Sequence, residues 1–457
     1  MMGRSSILSL VMVFLFVISQ SFWLSCGCFE SKPTSPALEP DWIVWSAAET
    51  ELLKETQERI QKYRQGDAQV VVVDSKGKPL SGTTVSVEML KHDFLFGSGL
   101  FKLGCTGDEA LEQAYREAFV RLFNYATLPF YWSDYEQSPG NYQEVDLKGL
   151  AGWAKEQGLV TCGHPLVWTE SVPHWVPTDS EELKQVLQER VTTTVSNFKG
   201  LVDFWDIVNE PTLAARYENP VGQWMKAQTP AMATATALGW ARDSSPEASL
   251  IVNDFRTDDA YYYLLKDVQR QGGKFDIIGI QTHMHMGTYP LDQVWTICER
   301  FKELDTPLHF TELTVLSGDV KLDSDWKSFH PGWETTLDGE NTQAAYTEAL
   351  YRLLFSHPSV QAITWWDFSD LEAWQGAPAG LLRKDMTPKP AYNRLMKLIH
   401  EEWWTREEIK TNCLGQASFR GFYGQYRLTV LRGDTRTEEV VYLKQGQKNV
   451  FKIQASD

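Results

Sequence analysis

Two glutamates stand beside short apolar runs. Glu210 ends Trp205-Asp206-Ile207-Val208-Asn209-Glu210 and is followed by Pro211, while Glu312 lies in Phe310-Thr311-Glu312-Leu313. Breaking a glycosidic bond needs two carboxyls facing one anomeric carbon, one protonated and the other a nucleophile or base. Either glutamate alone could equally be a solvated strand-end residue, because carboxylates are mostly exposed. Pro211 disfavours helix at Glu210 and helps end a strand there. Gln281, His283 and His285 are spaced by two, so one face of a strand would carry all three. A His-x-His pair could also bind a metal, but no further ligand cluster accompanies it.

These side chains converge only if the chain between them is regular. Apolar runs fall at 94–97, 123–128, 159–164, 204–209, 250–253, 277–281, 308–311 and 362–366. Segments of helical periodicity separate them, such as 181–197 and 341–355. Strands alternating with helices imply parallel βαβ units. Eight such units over roughly 250 to 310 residues imply a closed (β/α)8 barrel, whose active site lies at the C-terminal ends of the strands. The runs bearing Glu210 and Glu312 are the fourth and seventh, on opposite sides of the ring. At both ends of the chain the pattern changes. Residues 69–90 read as a hairpin. The runs 426–430, 439–443 and 449–453 are short and strand-like. Together they are expected to form one small β-sandwich, with residues 67–92 and 401–457 flanking a barrel at 93–400.

The 457 residues include 43% hydrophobic side chains, enough for a large core, and carry a formal net charge of -17. That charge repels polyphosphate and excludes nucleic acid as a partner, while a neutral polysaccharide is compatible with it. Eighteen Trp could cover sugar faces, although a large barrel buries many Trp in its core. Arg4 precedes an apolar run at 10–18, too short for a membrane span and suited to a signal segment ending near residue 28. Cys26 or Cys28 could take a lipid; simple cleavage and an uncleaved anchor are the other readings. Each places the folded part outside the cytoplasm, as a secreted protein or a cell-surface or periplasmic lipoprotein, with no other membrane attachment. Residues 29–66 read as a tether followed by a helix over 46–65, and a monomer is expected. Cys105, Cys162, Cys298 and Cys413 are widely spaced with no Cys-x-x-Cys pair. Cys162 falls in an apolar strand as a buried thiol.

The motifs resemble glycoside hydrolase family 10, the β-1,4-xylanases. Trp205 to Pro211 resembles the family's acid/base motif and Thr311-Glu312-Leu313 its nucleophile motif. Gly163-His164-Pro165-Leu166-Val167-Trp168, Gly279-Ile280-Gln281-Thr282-His283, Ile363-Thr364-Trp365-Trp366 with Trp374, and Pro388-Lys389-Pro390-Ala391-Tyr392 match further segments in order. The resemblance implies Glu210 as acid/base and Glu312 as nucleophile of a retaining endo-β-1,4-xylanase that needs no metal or organic cofactor. It implies that Asn209 binds the sugar 2-hydroxyl and that His283 orients Glu312. His164 and Gln281 would line the central subsite, walled by Trp168, Trp366 and Trp374. A cis bond at His164-Pro165 is also implied. The sequence departs from the family at Thr127-Leu128-Pro129-Phe130-Tyr131-Trp132, which replaces Glu-Asn-x-x-Lys-Trp, and at Thr169 and Ser171, which replace His and Gln. The next subsite on the glycone side is therefore rebuilt. A decorated xylan or another β-glycan is the alternative substrate, and a non-catalytic carbohydrate-binding barrel the alternative function.

Overall fold

Short runs rich in Val, Ile and Phe, bounded by turn residues, become strands wherever both faces can be buried. The computed structural model describes residues 42–321 and 327–456. The expected signal segment, with Cys26 and Cys28, and the tether at 29–41 lie outside the described residues. Two strands precede the barrel, β1 (Gln65–Val73) and β2 (Thr84–His92). The barrel strands are β3 (Leu95–Gly99), β4 (Tyr125–Pro129), β5 (Val160–His164), β7 (Phe204–Asn209), β8 (Ser249–Asp254), β9 (Ile277–Met284), β10 (Leu308–Val315) and β11 (Val360–Trp365). The two-residue β6 (Val167–Trp168) pairs with the end of β7. All barrel pairings are parallel, and β5 against β7 closes the ring. Helices between the strands pack outside, as in Ser180–Asn197 and Leu337–Ser356. This is the expected (β/α)8 barrel.

Two strands differ from the sequence reading in a way that matters. β9 and β10 run on to Met284 and Val315, so Gln281 and Glu312 lie inside strands and not at their ends. Thr311 is an extra residue in β10, where Phe310 pairs Ile280 and Glu312 already pairs Gln281. Ile207 is an extra residue in β7 between Asp206, opposite Ile251, and Val208, opposite Val252. A β-bulge re-aims the side chains after it, and here one bulge precedes each glutamate.

After the barrel come β12 (Arg406–Lys410), β13 (Gln416–Phe422), β14 (Gly424–Arg432), β15 (Thr435–Leu443) and β16 (Asn449–Gln454). β12 and β13 escaped the sequence reading because β12 exposes Arg406, Glu407, Glu408 and Lys410, and β13 is short and exposes the polar Ser418 and Arg420. The terminal strands form two sheets, β13-β1-β16 and β12-β2-β14-β15. β1 and β2 are thus internal strands flanked by C-terminal partners. Val70, Val72, Val85, Val87, Leu428 and Ile453 are buried in a core continuous with that of the barrel. The expected helix over 46–65 is two helices, Ala47–Lys54 and Thr56–Tyr63. Ser46 and Glu49 cap the first reciprocally, at 3.2 and 2.8 Å. The Thr56 hydroxyl donates to the Leu53 carbonyl at 2.7 Å, and such local bonds compete with the helix ladder. Cys162 and Cys298 are buried free thiols, and Cys105 and Cys413 are exposed ones. Among the described residues no helix is long and apolar enough to cross a membrane.

Because β1 and β2 draw their partners from beyond residue 405, truncation there should strip Val70, Val72, Val85 and Val87 of their cover. Each exposed Val forfeits about 1.5 to 3 kcal/mol. The truncated chain should aggregate or melt well below the full one. A soluble product with an unchanged melting curve would contradict the shared sandwich.

Candidate active site

Glu210 leaves β7 in the left-handed region, at φ 54 and ψ 49. Its neighbour Pro211 opens a short 3-10 turn, Pro211–Arg216. The residue before proline avoids the right-handed helical region, and the chain takes this sparsely populated alternative in place of an extended one. Its N–H is held by the Asn253 carbonyl at 2.7 Å. A non-glycine residue held this way costs about 1–3 kcal/mol and persists only where the surroundings dictate it.

Both glutamates open on one cleft of about 710 Å³ at the C-terminal end of the barrel. All nine residues singled out in the sequence, His164, Trp168, Asn209, Glu210, Gln281, His283, Glu312, Trp366 and Trp374, line it. A chain of hydrogen bonds joins the two carboxyls. Gln281 Nε2 donates to Glu210 Oε1 (3.2 Å) and Asn209 Oδ1 (3.1 Å). Asn253 Nδ2 donates to Asn209 Oδ1 (2.9 Å) and Glu312 Oε1 (2.6 Å). His283 Nε2 donates to Glu312 Oε2 at 2.9 Å. Trp168 Nε1 donates to Glu210 Oε2 at 3.1 Å.

The electrostatics separate the pair. Burial, and then the charge of Glu312, push the Glu210 carboxyl up to about 8, against the weaker pull of the Trp168 and Gln281 bonds. Burial would raise Glu312 too, but His164, His283 and Asn253 reverse this and hold it below the ordinary carboxylate range. Burial would push His164 down. The charges of Glu312 and Asp206 reverse that as well, and hold it above the ordinary imidazole range. His164 Nδ1 donates to Asp206 Oδ2 at 2.7 Å, and Nε2 stands 3.9 Å from Glu312 Oε1. The His164-Pro165 bond is cis, as expected.

Trp366 stands edge-on to His164 and His283, with centroids 5.3 and 5.6 Å away. Trp374 lies against His283 and His285 at 4.7 and 5.0 Å. His285 bonds Gln375 Oε1 through Nδ1 at 2.6 Å, so it braces the Trp374 turn. Among the described residues His164, Asp206 and Glu312 bring ligand atoms within 4.8 Å of one another. The imidazole presents Nδ1 to Asp206 and Nε2 to Glu312, so the two carboxylates sit at different edges of the ring and not around one ion.

Sequence reasoning missed Asn253 and Asp206 as site residues. Their signal was position: Asn253 is a polar side chain ending an apolar run, and Asp206 shares the Glu210 motif. Of the departures, Tyr131 lines the cleft against His164 and Trp168, at 5.7 and 5.9 Å. Thr169 is buried, Ser171 pairs with Ser133 at 2.9 Å, and neither lines the cleft.

The chain is 28% identical over 408 residues to anti-sigma-I factor RsgI6 of Acetivibrio thermocellus, covering 87% of this chain and 48% of that one. It thus spans about half the length of that relative. It is 26% identical over 311 residues to endo-1,4-beta-xylanase B of Thermotoga neapolitana, covering 64% of this chain and 84% of that one. The solved structure of xylanase 10B from Thermotoga petrophila in complex with xylobiose superposes with a TM-score of 0.57 at 25% identity, over 68% of this chain and 95% of that one. The glycosyl hydrolase family 10 model matches residues 90–398, over a barrel whose two buried glutamates share one cleft, and the chain belongs to that family.

Proposed function

We propose that the protein is a retaining endo-β-1,4-xylanase with Glu210 as acid/base and Glu312 as nucleophile. The observation that carries this reading is two buried carboxyls on one cleft with unequal partners: Glu312 accepts from Asn253 and His283, which hold it low, while Glu210 receives only the longer bonds from Trp168 and Gln281 and burial pushes it up to about 8. Glu210 gives its proton to the leaving oxygen while Glu312 attacks the anomeric carbon and forms a glycosyl–enzyme ester. The ester carries no charge, so the Glu210 pKa falls and the same group can take a proton from the incoming water. Asn209 spends its Oδ1 on Gln281 and Asn253, which frees its amide N–H groups for the sugar 2-hydroxyl. Asn253 and His283 fix the attacking oxygens, His164 and Gln281 line the central subsite, and the three tryptophans wall it. This chemistry is complete without a metal or organic cofactor.

The substrate reading rests on the family and on relatives named as xylanases. Tyr131 beside Trp168 supports a changed glycone side and a decorated xylan as the preferred polymer. Such a polymer does not cross membranes, which agrees with the secretion or lipid anchoring that the N-terminal apolar run suggests. The second reading is a non-catalytic carbohydrate-binding barrel, and one relative of this chain is named as an anti-sigma-I factor and not as an enzyme; turnover separates the two.

Release of reducing ends from xylan tests the reading directly. Glu312→Ala should abolish it on every substrate, with partial azide rescue giving inverted product. Glu210→Ala should lose about 10²- to 10⁴-fold on xylan and keep most activity toward aryl glycosides with good leaving groups. Near wild-type xylan hydrolysis by either variant would refute the assignment.

The pH profile supplies a separate check. The acid must be protonated, so kcat/KM should fall as pH rises through about 8. The nucleophile must be ionised, so kcat/KM should also fall at low pH, below the ordinary carboxylate range. Asn253→Asp would set a carboxylate against Glu312 and raise its pKa. Its acid limb should move upward, toward neutrality, by at least about one unit. An unmoved acid limb in an active Asn253→Asp enzyme would rule out this role for Asn253.

Subsite mapping with unsubstituted xylo-oligosaccharides should show weakened glycone binding, each lost polar contact being worth about 0.5–1.5 kcal/mol. Glycone affinities equal to those of an ordinary family member would contradict the rebuilt side.

A further inference from the structure

The proposed reaction gives no task to two charged residues on the cleft wall farthest from Glu210, Lys102 and Asp367. The barrel strands run in the order β5-β4-β3-β11-β10-β9-β8-β7 and close from β7 to β5, so β11 and β3 face β7 across the mouth. The Glu210 proton goes to the leaving oxygen, which puts the aglycone on the β7 side. The sugar that precedes the cleaved one therefore runs toward β11 and β3.

Three polar side chains meet it there. Lys102 follows β3, Tyr131 follows β4 and Asp367 follows β11, and all three line the cleft. Asp367 is buried, and its Oδ2 accepts the Trp374 N–H at 3.1 Å. Its Oδ1 has no partner among the described residues, yet it is not sealed from solvent. The same holds for the Tyr131 hydroxyl. Lys102 Nζ donates to Glu372 Oε2 at 3.2 Å and keeps two further N–H donors. Glu372 is exposed and left-handed, at φ 48, a placement that persists only where the surroundings fix it. Burial pushes the Asp367 carboxyl up to about 7, against the pull of the Trp374 N–H and of the Lys102 charge.

Such a wall sorts ligands by charge. One ammonium serves two carboxyls, Asp367 and Glu372, so no positive charge is in surplus. A uronic acid would bring a third carboxyl into a cleft that already buries several, where like charges repel strongly. Neutral sugar hydroxyls both donate and accept. One can donate to Asp367 Oδ1 while its neighbour on the ring accepts from Lys102 Nζ.

We propose that Asp367 and Lys102 are specificity-determining residues, which grip two hydroxyls of a neutral sugar on the glycone side and turn away a uronic acid there. The inference rests on the xylanase reading, which defines the glycone side, and it names the decoration accepted there as a neutral glycosyl branch such as a pentose.

Binding and turnover test it separately on the full chain. At pH 8 Asp367 carries its charge. Calorimetric titration of the turnover-deficient Glu312→Gln protein compares xylotriose bearing an arabinosyl branch with xylotriose bearing a glucuronosyl branch at the same sugar. The neutral ligand should bind at least about tenfold tighter. Adding Asp367→Asn should narrow that ratio at least about fivefold, and the new amide oxygen can still accept the Trp374 N–H. Adding Lys102→Met should weaken the neutral ligand at least about threefold. In the wild-type background, Asp367→Asn should cut kcat/KM on an aryl β-xylobioside at least about tenfold more than on an aryl β-xyloside, whose single sugar does not reach this wall. A merely structural role would lower both alike. A glucuronosyl ligand bound as tightly as the arabinosyl one, a ratio unmoved by Asp367→Asn, or equal losses on the two aryl glycosides would each overturn the proposal. A wild-type protein that cleaves neither glycoside would refute the catalytic reading instead, and the titrations would still decide between neutral and acidic sugar at this wall.

Discussion

The site depends on where one proton sits. Glu210 and Glu312 share a cleft that removes both from bulk water, and two carboxylates there would repel each other strongly. The fold settles the contest by giving the stronger partners to one side. Glu312 accepts from Asn253 and His283 and faces a His164 ring held above its ordinary range. Glu210 receives only the longer bonds from Trp168 and Gln281. Asp206 keeps His164 in place from behind. Side chains from β5, β7, β8, β9 and β10 thus act on the position of a single hydrogen.

That demand explains the irregular backbone. An even pleat would carry side chains on alternate faces without adjustment. The extra residues Ile207 and Thr311 break that alternation just before Asn209–Glu210 and at Glu312. The left-handed Glu210 adds a further turn at the end of β7. Thr311, the bulged residue, donates its hydroxyl to Asn253 Oδ1 at 2.6 Å. This fixes which end of the Asn253 amide faces Glu312. The irregularity and the hydrogen-bond direction are therefore one device.

How much of this could be read from residues alone follows from the same physics. The barrel strands were legible because burial on both faces forces continuous apolar runs. Glu210 and Glu312 were legible because each sits in a motif with several fixed neighbours. The bulges were not, since an extra Ile or Thr in a strand has no compositional mark. Asn253 was visible only as a polar strand end, because its importance lies in bridging two other residues. β12 was hidden by charged outward-facing side chains, and β13 by its short length and polar Ser418 and Arg420. The break at Glu55 was hidden because Thr56 disrupts the ladder through a side-chain bond and not through Gly or Pro. Tyr131, Thr169 and Ser171 were recognised as departures, but only the geometry separates Tyr131, which lines the cleft, from the other two, which do not.

The two ends of the barrel obey different rules. At the C-terminal end both carboxyls are held by hydrogen bonds from Trp168, Gln281, Asn253 and His283, and the residues that changed, Tyr131, Thr169 and Ser171, give none of these. The N-terminal end of such a barrel ordinarily serves stability. Here Arg64 bonds carbonyls at the end of the Leu337–Ser356 helix and the start of β11, groups that a helix terminus would otherwise leave unsatisfied. The terminal sheets thus begin from a bond that secures the barrel.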